Sequence, residues 1–265
     1  MILVGSGEFG NVFRIEPGRV VKIFDDTRFL ELEYKTCKYV GDHTPFAPKV
    51  YNLVDLRGQS GYEMEEIIGE LLIDVMDEDS LEAYGILMGE HHRRLHDYQT
   101  DHLKLYHIHD VMKKHIERLN NFDKEDKVWL QDLLESLPRG NCLLHGDFMP
   151  YNLICSNKRL RALDWSDAML GPSEADIART IYFIIDPQDY TDACYTMFSN
   201  KFIEAYLNGY YGNKTTMGII RKWLLLNAVF EYDQLVSEQH NNFFTERLKN
   251  YILNNKESLG SDNLF

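Results

Sequence analysis

The chain has 265 residues, of which 44% are hydrophobic and 26% are charged, and its formal net charge is -14. These proportions are ordinary for a folded protein whose length allows one large domain or two lobes. The negative charge argues against a nucleic acid or an anionic membrane as a partner, because both require a positive surface. It is compatible with a cationic small molecule, and solubility explains it equally well.

The cysteines and the apolar runs favour a cytoplasmic location. The four cysteines are widely spaced, form no CxxC pair, and are expected to be free thiols in a reducing compartment. Apolar runs such as residues 223–230 are far shorter than a membrane span. The apolar start of the chain is too short for a secretory signal. We therefore expect a cytoplasmic protein with no membrane partner, and no oligomeric state is predicted.

Residues 1–68 are predicted to form a small, mainly β lobe that contains one helix. Short β-rich runs occur at residues 2–4, 12–15, 20–24, 50–54 and 61–65. Turn-type residues separate several of these runs, which favours hairpins. Residues 29–40 carry mixed apolar and charged side chains without a helix breaker, which predicts the helix.

After Gly69 the pattern changes to that of helices. Apolar residues recur at helical spacing in residues 81–95, 111–122, 124–137, 175–185, 191–208, 217–238 and 243–253. We expect residues 69–265 to form a larger, mainly helical lobe. Because no repeat or flexible linker interrupts the chain, two lobes that share a cleft are favoured over independent domains.

A glycine-rich turn near the start of the chain indicates a phosphate-binding loop. Gly5, Gly7 and Gly10 form a GxGxxG pattern between two β-rich runs. A dinucleotide-binding fold would place a helix after the glycines, whereas here a strand is predicted. Glycines in a strand-loop-strand hairpin allow backbone N–H groups to approach phosphates. A plain hairpin is the alternative, because glycines gather in any tight turn.

A lysine in the next β-rich run is placed to contact phosphate. Lys22 lies between Val21 and Ile23, and alternation along a strand directs its ammonium group to the opposite face from theirs. That face is the cleft beneath the glycines. An acidic partner is needed there, and Glu31 and Glu33 on the predicted helix are the candidates. A solvent-exposed lysine is the alternative.

Two carboxylates and an amide form the most specific pattern in the chain, namely Asp147, Asn152 and Asp164. Two apolar runs, residues 153–155 and 160–163, flank a turn and predict a hairpin that brings Asn152 and Asp164 together near Asp147. Their oxygens suit Mg²⁺, which completes its shell with phosphate and water. Asp147 could orient or deprotonate an attacking hydroxyl. Each residue alone could serve a turn or a strand end, but the combination indicates a phosphoryl-transfer site.

The motif order resembles that of known kinases. The glycine loop followed by Lys22 is similar to the nucleotide lobe of protein kinases and their relatives. The His-Gly-Asp sequence at residues 145–147 and the Asp-Trp sequence at residues 164–165 resemble the aminoglycoside phosphotransferase and choline kinase-like family. Protein kinases usually carry His-Arg-Asp and Asp-Phe-Gly at these places. Residues 172–179 also match the small-molecule kinase pattern.

The resemblance implies an α+β, two-lobed protein kinase-like fold with a small antiparallel β-sheet lobe and a larger helical lobe. It implies transfer of the γ-phosphoryl group from ATP, with GTP as the alternative nucleotide, to a hydroxyl of a small molecule in the presence of Mg²⁺. An aminoglycoside-like acceptor is favoured. The alternatives are a kinase for choline, a sugar, homoserine or another metabolite alcohol, or an inactive nucleotide-binding regulator. The intact Lys22, Asp147, Asn152 and Asp164 argue against the inactive regulator.

The resemblance also implies roles for individual residues. Asp147 is expected to take the proton of the acceptor hydroxyl, and Asn152 and Asp164 to hold Mg²⁺. Glu33 is favoured over Glu31 as the partner of Lys22. The residues expected at the nucleotide are Gly5, Ser6, Gly7, Gly10, Lys22, Glu33, Glu65 and Ile67, the last two through the carbonyl of Glu65 and the amide of Ile67.

Three further features are not counted among the site residues. His92 and His96 have the i, i+4 spacing of a metal site, but the intervening arginines favour packing histidines. His145 and Asp176 are expected to brace the loop around Asp147. Aromatic and acidic residues at positions 230–233 would suit a cationic acceptor, with core packing as the alternative.

Overall fold

A five-stranded antiparallel sheet forms the first part of the molecule. The computed structural model describes residues 1–7, 10–28, 30–56, 58–98, 104–185, 193–212, 217–238 and 243–258. The strands are β1 (Ile2–Gly7), β2 (Gly10–Glu16), β3 (Arg19–Phe24), β4 (Val50–Leu56) and β5 (Gln59–Glu65), in the spatial order β1-β2-β3-β5-β4. One helix, α1 (Leu30–His43), follows β3. The predicted strand-rich beginning of the chain is confirmed.

The register of this sheet determines which side chains share its inner face. Gly5 pairs with Val12, Val12 with Lys22, and Lys22 with Tyr62. Directly paired residues of antiparallel strands point to the same face. Lys22 and Tyr62 therefore project from the face on which Gly5 lies. The helix α1 packs there too, because its Glu33 contacts both side chains.

Helices dominate the rest of the described chain. They are α2 (Leu72–Val75), α3 (Leu81–His96), α4 (Ile108–Arg118), α5 (Lys124–Glu135), α6 (Ser173–Ile185), α7 (Ala193–Tyr211), α8 (Met217–Ser237) and α9 (Phe243–Ser258). The short strands are β6 (Glu70–Leu71), β7 (Cys142–Leu144), β8 (Leu153–Ser156), β9 (Arg159–Ala162) and β10 (Met169–Gly171). None of the described helices is both long and apolar enough to cross a membrane. Division of the chain at residues 68 and 69 stays a prediction.

Two differences from the predicted elements have identifiable causes. The helix α4 begins at Ile108, ahead of the predicted residue 111, because the side chain of His107 caps it by accepting the His109 N–H. Histidine is not among the usual N-cap residues that mark a helix start in sequence. The strands β6, β7 and β10 have two or three residues each, too short for a recognisable alternation.

The predicted hairpin β8-β9 forms, and its turn explains its register. Asn157 and Lys158 both have positive φ angles, 50° and 59°, as in the type I′ turns that match the twist of two-residue hairpins. Beyond the ladder, the Leu163 N–H donates to the Asn152 carbonyl at 2.7 Å. The hairpin thus returns the chain to Asn152 just before Asp164.

Small residues allow α3 and α7 to cross closely. A Cβ atom built on Gly89 would lie 2.1 Å from the Tyr206 carbonyl oxygen, and one on Gly209 would lie 2.1 Å from that of Ile86. Backbone therefore packs directly on backbone at this crossing. The short separation allows histidines of α3 to reach tyrosine hydroxyls of α7.

A buried polar network beside this crossing connects the helices to the loop after β7. The Asp176 carboxylate, on α6, accepts hydrogen bonds from His92 Nε2 at 3.0 Å, His96 Nε2 at 3.3 Å, and the backbone N–H groups of His145 and Gly146 at 2.6 and 2.9 Å. Three potential metal ligands of this network, on His92, His96 and Asp176, lie within 4.8 Å of one another. The two histidine nitrogens lie at hydrogen-bond distance from the carboxylate, so both rings bond directly to it.

The protonation states of the network follow from its donors and acceptors. The Nδ1 atoms of His92 and His96 face the Tyr206 and Tyr210 hydroxyls at 2.6 and 2.8 Å. With Nε2–H donated to Asp176, each ring can accept from a tyrosine at Nδ1, so both nitrogens of each ring have a hydrogen-bond partner. Although burial would raise the pKa of Asp176, the two histidines hold it well below its usual range.

The helix crossing predicts a strong effect for a small substitution. Gly89→Ala should lower the free energy of unfolding by about 1–3 kcal/mol, because the added methyl group overpacks a backbone contact. Urea denaturation measures the change. The matched control is Gly218→Ala in α8, where an added Cβ would meet nothing within 4 Å. Equal stabilities of the two variants would contradict the close crossing.

The network also predicts how stability depends on pH. Burial, together with the neighbouring His96, lowers the pKa of His92 to about 3 from the ordinary 6.5. The unfolded chain therefore binds a proton more readily, and the free energy of unfolding should fall as the pH drops from about 6.5 to about 3. This residue contributes up to about 1.4 kcal/mol per pH unit in that window. Chemical denaturation at several pH values measures the slope.

The variant His92→Gln keeps a donor and an acceptor but does not titrate, so its slope should be shallower. His43→Gln, at an exposed histidine, is the control. A slope in His92→Gln equal to that of the unmodified protein would refute the assignment of a neutral His92.

Candidate active site

An ion pair between β3 and α1 lies on the inner face of the sheet. Lys22 Nζ is 2.5 Å from Glu33 Oε1, and the Tyr62 hydroxyl donates to the same oxygen at 2.8 Å. Glu33 is only 2% exposed. Glu31 is exposed and pairs with Lys35, one turn along the helix. Of the two candidates, the structure places Glu33 against Lys22.

Lys22 also faces a carboxylate from the other side of the cleft. Its Nζ lies 3.8 Å from Asp164 Oδ2. Burial alone would lower the pKa of Lys22, but the negative charges of Asp164 and Glu33 outweigh burial and raise it. Lys22 therefore remains a cation at neutral pH, fixed by one carboxylate and near a second.

The glycine-rich turn connects β1 to β2, and its glycines differ in how closely other atoms approach them. Gly7 pairs with Gly10 across the hairpin. A Cβ on Gly10 would lie 2.0 Å from the Ile23 carbonyl oxygen, so only glycine allows β2 to approach β3 there. At Gly5 and Gly7 a Cβ would meet nothing closer than 3.7 Å. These two positions leave space above the face that carries Lys22.

The remaining predicted nucleotide residues lie on the hairpin and after β5. The Ser6 hydroxyl donates to the Asn11 side-chain oxygen at 2.8 Å. The Glu65 carboxylate accepts two hydrogen bonds from Arg161 of β9, at 2.7 and 2.8 Å, so its side chain is engaged. Ile67 lies just beyond β5, and its N–H makes no backbone hydrogen bond within the described ranges.

Asp147 lies in the loop between β7 and a 3₁₀ turn, Pro150–Asn152. Its Oδ2 accepts from Asn152 Nδ2 at 2.7 Å, and its Oδ1 accepts from the Tyr151 hydroxyl at 3.0 Å. Burial raises the pKa of Asp147, while the hydrogen bond from the Tyr151 hydroxyl acts in the opposite direction. The result is a half-buried carboxylate with fixed orientation that binds a proton more tightly than an ordinary aspartate.

The loop around Asp147 is held from several sides. His145 Nε2 contacts the Leu163 carbonyl at 2.9 Å, and its Nδ1 accepts the Asp147 N–H at 3.2 Å. This pattern fixes the neutral tautomer with its proton on Nε2. The Gly146 carbonyl accepts from Arg179, and Gly146 has a φ of 83°, a conformation that favours glycine.

Asn152 and Asp164 meet where the hairpin returns to the loop. The Asn152 amide nitrogen donates twice to Asp147, to Oδ2 and to the carbonyl at 3.1 Å, which leaves its amide oxygen for another partner. Asp164 has a φ of 54° and accepts the Ser166 hydroxyl on Oδ1 at 2.8 Å. Trp165 is fully buried and anchors the turn. An amide oxygen and a partly exposed carboxylate are donors that fit Mg²⁺.

Three residues of the site were not predicted from the sequence. Tyr62 supports Glu33, Tyr151 contacts Asp147, and Arg179 donates to the loop carbonyl. For Arg179 a signal existed, because it lies three residues after Asp176 on a predicted helix, and such residues share a helix face. The roles of Tyr62 and Tyr151 depend on strand register and on a 3₁₀ turn, which the sequence pattern did not fix.

A cavity of about 430 Å³ lies beside the turn that follows Asp164, since Ser166 and Asp167 line it. Its other walls come from α1, α4, α8 and the segment before α4, and they include Lys35, Lys104 and Phe230. Asp233, one of the acidic residues considered for a cationic acceptor, is buried against His115 and Arg118 with contacts of 2.7 Å. Trp223 and Tyr232 are core residues, 1% and 4% exposed.

Comparison with known families and structures agrees with this architecture. Residues 3–220 match the phosphotransferase enzyme family. A comparison with curated proteins found no match to the sequence. A thermostable mutant of aminoglycoside phosphotransferase APH(4)-Ia, in ternary complex with AMP-PNP and hygromycin B, has a TM-score of 0.66 at 15% identity, over 99% of this chain and 94% of that one.

Two further similar structures represent other kinases. A choline/ethanolamine kinase family protein from Mesorhizobium loti has a TM-score of 0.63 at 14% identity, over 97% of this chain and 87% of that one. Amicoumacin kinase hAmiN, in complex with AMP-PNP, Ca²⁺ and Ami, has a TM-score of 0.58 at 16% identity, with the same shares of 97% and 87%. At these identities the structural likeness establishes the kinase-like fold.

The predicted fold class is therefore confirmed, and so is the predicted enzyme class of small-molecule kinase. The family assignment rests on a sequence match over most of the chain, residues 3–220. The chain belongs to the phosphotransferase enzyme family.

Proposed function

We propose that the protein transfers the γ-phosphoryl group of ATP, with Mg²⁺, to a hydroxyl of a small molecule, with an aminoglycoside-like acceptor favoured. One observation carries the proposal: Lys22, paired with Glu33, lies 3.8 Å from Asp164, and the hairpin joins Asp164 to Asn152 and Asp147. A fixed cation, two oxygen donors suited to Mg²⁺ and a carboxylate that can act as a base then surround one cleft. GTP is the alternative nucleotide.

The nucleotide is proposed to bind under the β1-β2 hairpin. Backbone N–H groups near Gly5, Ser6, Gly7 and Gly10 would approach the phosphates, since no side chain at Gly5 or Gly7 obstructs them. Lys22 would neutralise the non-transferred phosphates, held by Glu33. The Glu65 carbonyl and the Ile67 N–H would bind the adenine edge.

Mg²⁺ would be held by the amide oxygen of Asn152 and by the carboxylate of Asp164, and when bound it neutralises charge between the phosphates. Phosphoryl transfer has a loose transition state, so positioning and charge neutralisation supply most of the catalysis. Asp147 would accept the hydrogen bond of the acceptor hydroxyl and take its proton as the bond to phosphorus forms. Its raised pKa makes the ionised form a better base at neutral pH.

Two classes of acceptor have support, and each rests on a different observation. An aminoglycoside-like acceptor is supported by the family and by the similar structure that contains hygromycin B. Another metabolite alcohol is the second candidate, and the cavity beside Asp167 favours it. The wall of that cavity carries Lys104 and Asp167, together with Lys35, which is paired with Glu31, whereas the acidic Asp233 is already paired with Arg118 and His115. The lining residues therefore have no net negative charge, and a polycation would gain little from them. The cytoplasmic location stays a prediction.

A panel of acceptors tests the proposal directly. The purified protein is incubated with ATP or GTP and one hydroxyl compound at a time, including aminoglycosides, choline, sugars and homoserine, and nucleotide consumption is followed. Acceptor-dependent consumption that requires Mg²⁺ is expected for at least one compound. Nucleotide binding without transfer to any acceptor would instead favour the inactive regulator.

Removing the proposed base should separate binding from turnover. In Asp147→Asn, turnover should fall on the order of 10²–10⁴-fold, because the general base is lost. Affinity for ATP, measured by calorimetry, should stay within a few-fold, since Asp147 is not assigned to the nucleotide. Asp97→Asn, at an exposed aspartate, is the matched control. Full turnover in Asp147→Asn would show that another group is the base.

The two glutamates of α1 provide a matched pair of substitutions. Glu33→Gln should weaken ATP binding about tenfold, because Lys22 loses a buried charge-assisted hydrogen bond. Glu31→Gln should have no effect on ATP binding, as its pair with Lys35 is exposed and such pairs contribute little. Titration with ATP measures both. Similar affinities for the two variants would remove Glu33 from the nucleotide site.

A further inference from the structure

Tyr151 is a residue of the site whose side chain is not needed to hold the loop around Asp147. It lies in the 3₁₀ turn Pro150–Asn152 and is 48% exposed. The loop is held by other groups, namely the Asp176 carboxylate, the His145 ring and the Arg179 guanidinium. A surface tyrosine can satisfy its hydroxyl with water at no cost. Here the hydroxyl instead points at Asp147 Oδ1, at 3.0 Å.

The two oxygens of Asp147 are therefore occupied differently. Asn152, which is partly buried, donates to Oδ2 from the metal side. Tyr151 donates to Oδ1 from the solvent side, where an incoming molecule would arrive. Burial and the nearby Asp147 charge raise the pKa of Tyr151, so its hydroxyl keeps its proton and acts as a donor. A donating hydroxyl on a half-buried carboxylate is the arrangement expected of the acceptor itself.

We propose that Tyr151 is a residue of the acceptor site whose hydroxyl occupies, on Asp147 Oδ1, the position that the acceptor hydroxyl takes during the reaction. This inference rests on the proposed function, because it assumes that Asp147 is the base. On binding, the acceptor hydroxyl replaces the phenol as donor to Oδ1. Its oxygen then bonds to the γ-phosphorus, the bond from phosphorus to ADP breaks, and its proton passes to Asp147. Tyr151 keeps its own proton throughout.

In the absence of an acceptor, the same contact would shield the base from water. Removing the hydroxyl in Tyr151→Phe opens this position to water, and basal ATP hydrolysis should rise several-fold. A rise in acceptor-independent hydrolysis distinguishes a shielding contact from a merely structural one, because loss of a structural contact would leave this rate unchanged or lower it.

The experiment measures ADP release from Mg-ATP by the full chain at neutral pH, without any added acceptor. Tyr151→Phe is compared with the unmodified protein. The matched control is Tyr98→Phe, which also loses one hydroxyl hydrogen bond, to the His43 carbonyl, away from Asp147. The expected result is a higher basal rate in Tyr151→Phe alone.

Asp147→Asn, measured in parallel, separates the two ways in which the inference can fail. If Asp147→Asn is impaired but Tyr151→Phe matches the unmodified protein in basal rate, the role of Tyr151 is refuted and the proposed base stands. If Asp147→Asn hydrolyses ATP normally, the base assignment is wrong and the role of Tyr151 fails with it. A change in Tyr98→Phe equal to that in Tyr151→Phe would also overturn the inference.

Discussion

The geometry of the site depends on the hydrogen bonds that the Asp176 carboxylate accepts. It accepts two backbone N–H groups from the loop after β7 and two histidine N–H groups from α3. A buried carboxylate is stable only when its charge is compensated by donors, and these four groups provide that compensation. Because His145 and Gly146 immediately precede Asp147, the position of the proposed base is fixed from the interior of the helical part.

The helix crossing is a precondition for this network. His92 and His96 donate to Asp176 through Nε2, and the buried Nδ1 atom of each ring needs a partner of its own, which the hydroxyls of Tyr206 and Tyr210 supply. These hydroxyls come from α7, which approaches α3 closely because glycines such as Gly89 line the crossing. Packing between α3 and α7 therefore supports the hydrogen bonds beneath the loop.

The sequence predicted those parts of the site whose signals are local. The hairpin β8-β9 was predictable because two apolar runs flank a turn, and it alone brings Asp164 to Asn152. Strand alternation was sufficient to place Lys22 in the cleft, but it could not choose between Glu31 and Glu33, which depends on how α1 is rotated against the sheet. Tyr151 was not predicted because its contact with Asp147 depends on the 3₁₀ turn, which the sequence pattern does not indicate.

The distribution of charge in the protein explains why the acceptor is harder to predict than the reaction. The net charge of -14 is compatible with a cationic acceptor, yet stabilisation of a ligand depends on charges within a few ångströms, since screening removes distant ones. Near the site the charge balance differs, because Asp233 is paired with Arg118 and His115, and the adjoining cavity is lined by Lys104 and Asp167 together with Lys35, which is paired with Glu31. Phosphoryl transfer requires the same few groups in any such cleft, and these groups form sequence motifs. The walls of the acceptor site have no such requirement. Their chemistry depends on which side chains the packed helices bring to the cavity.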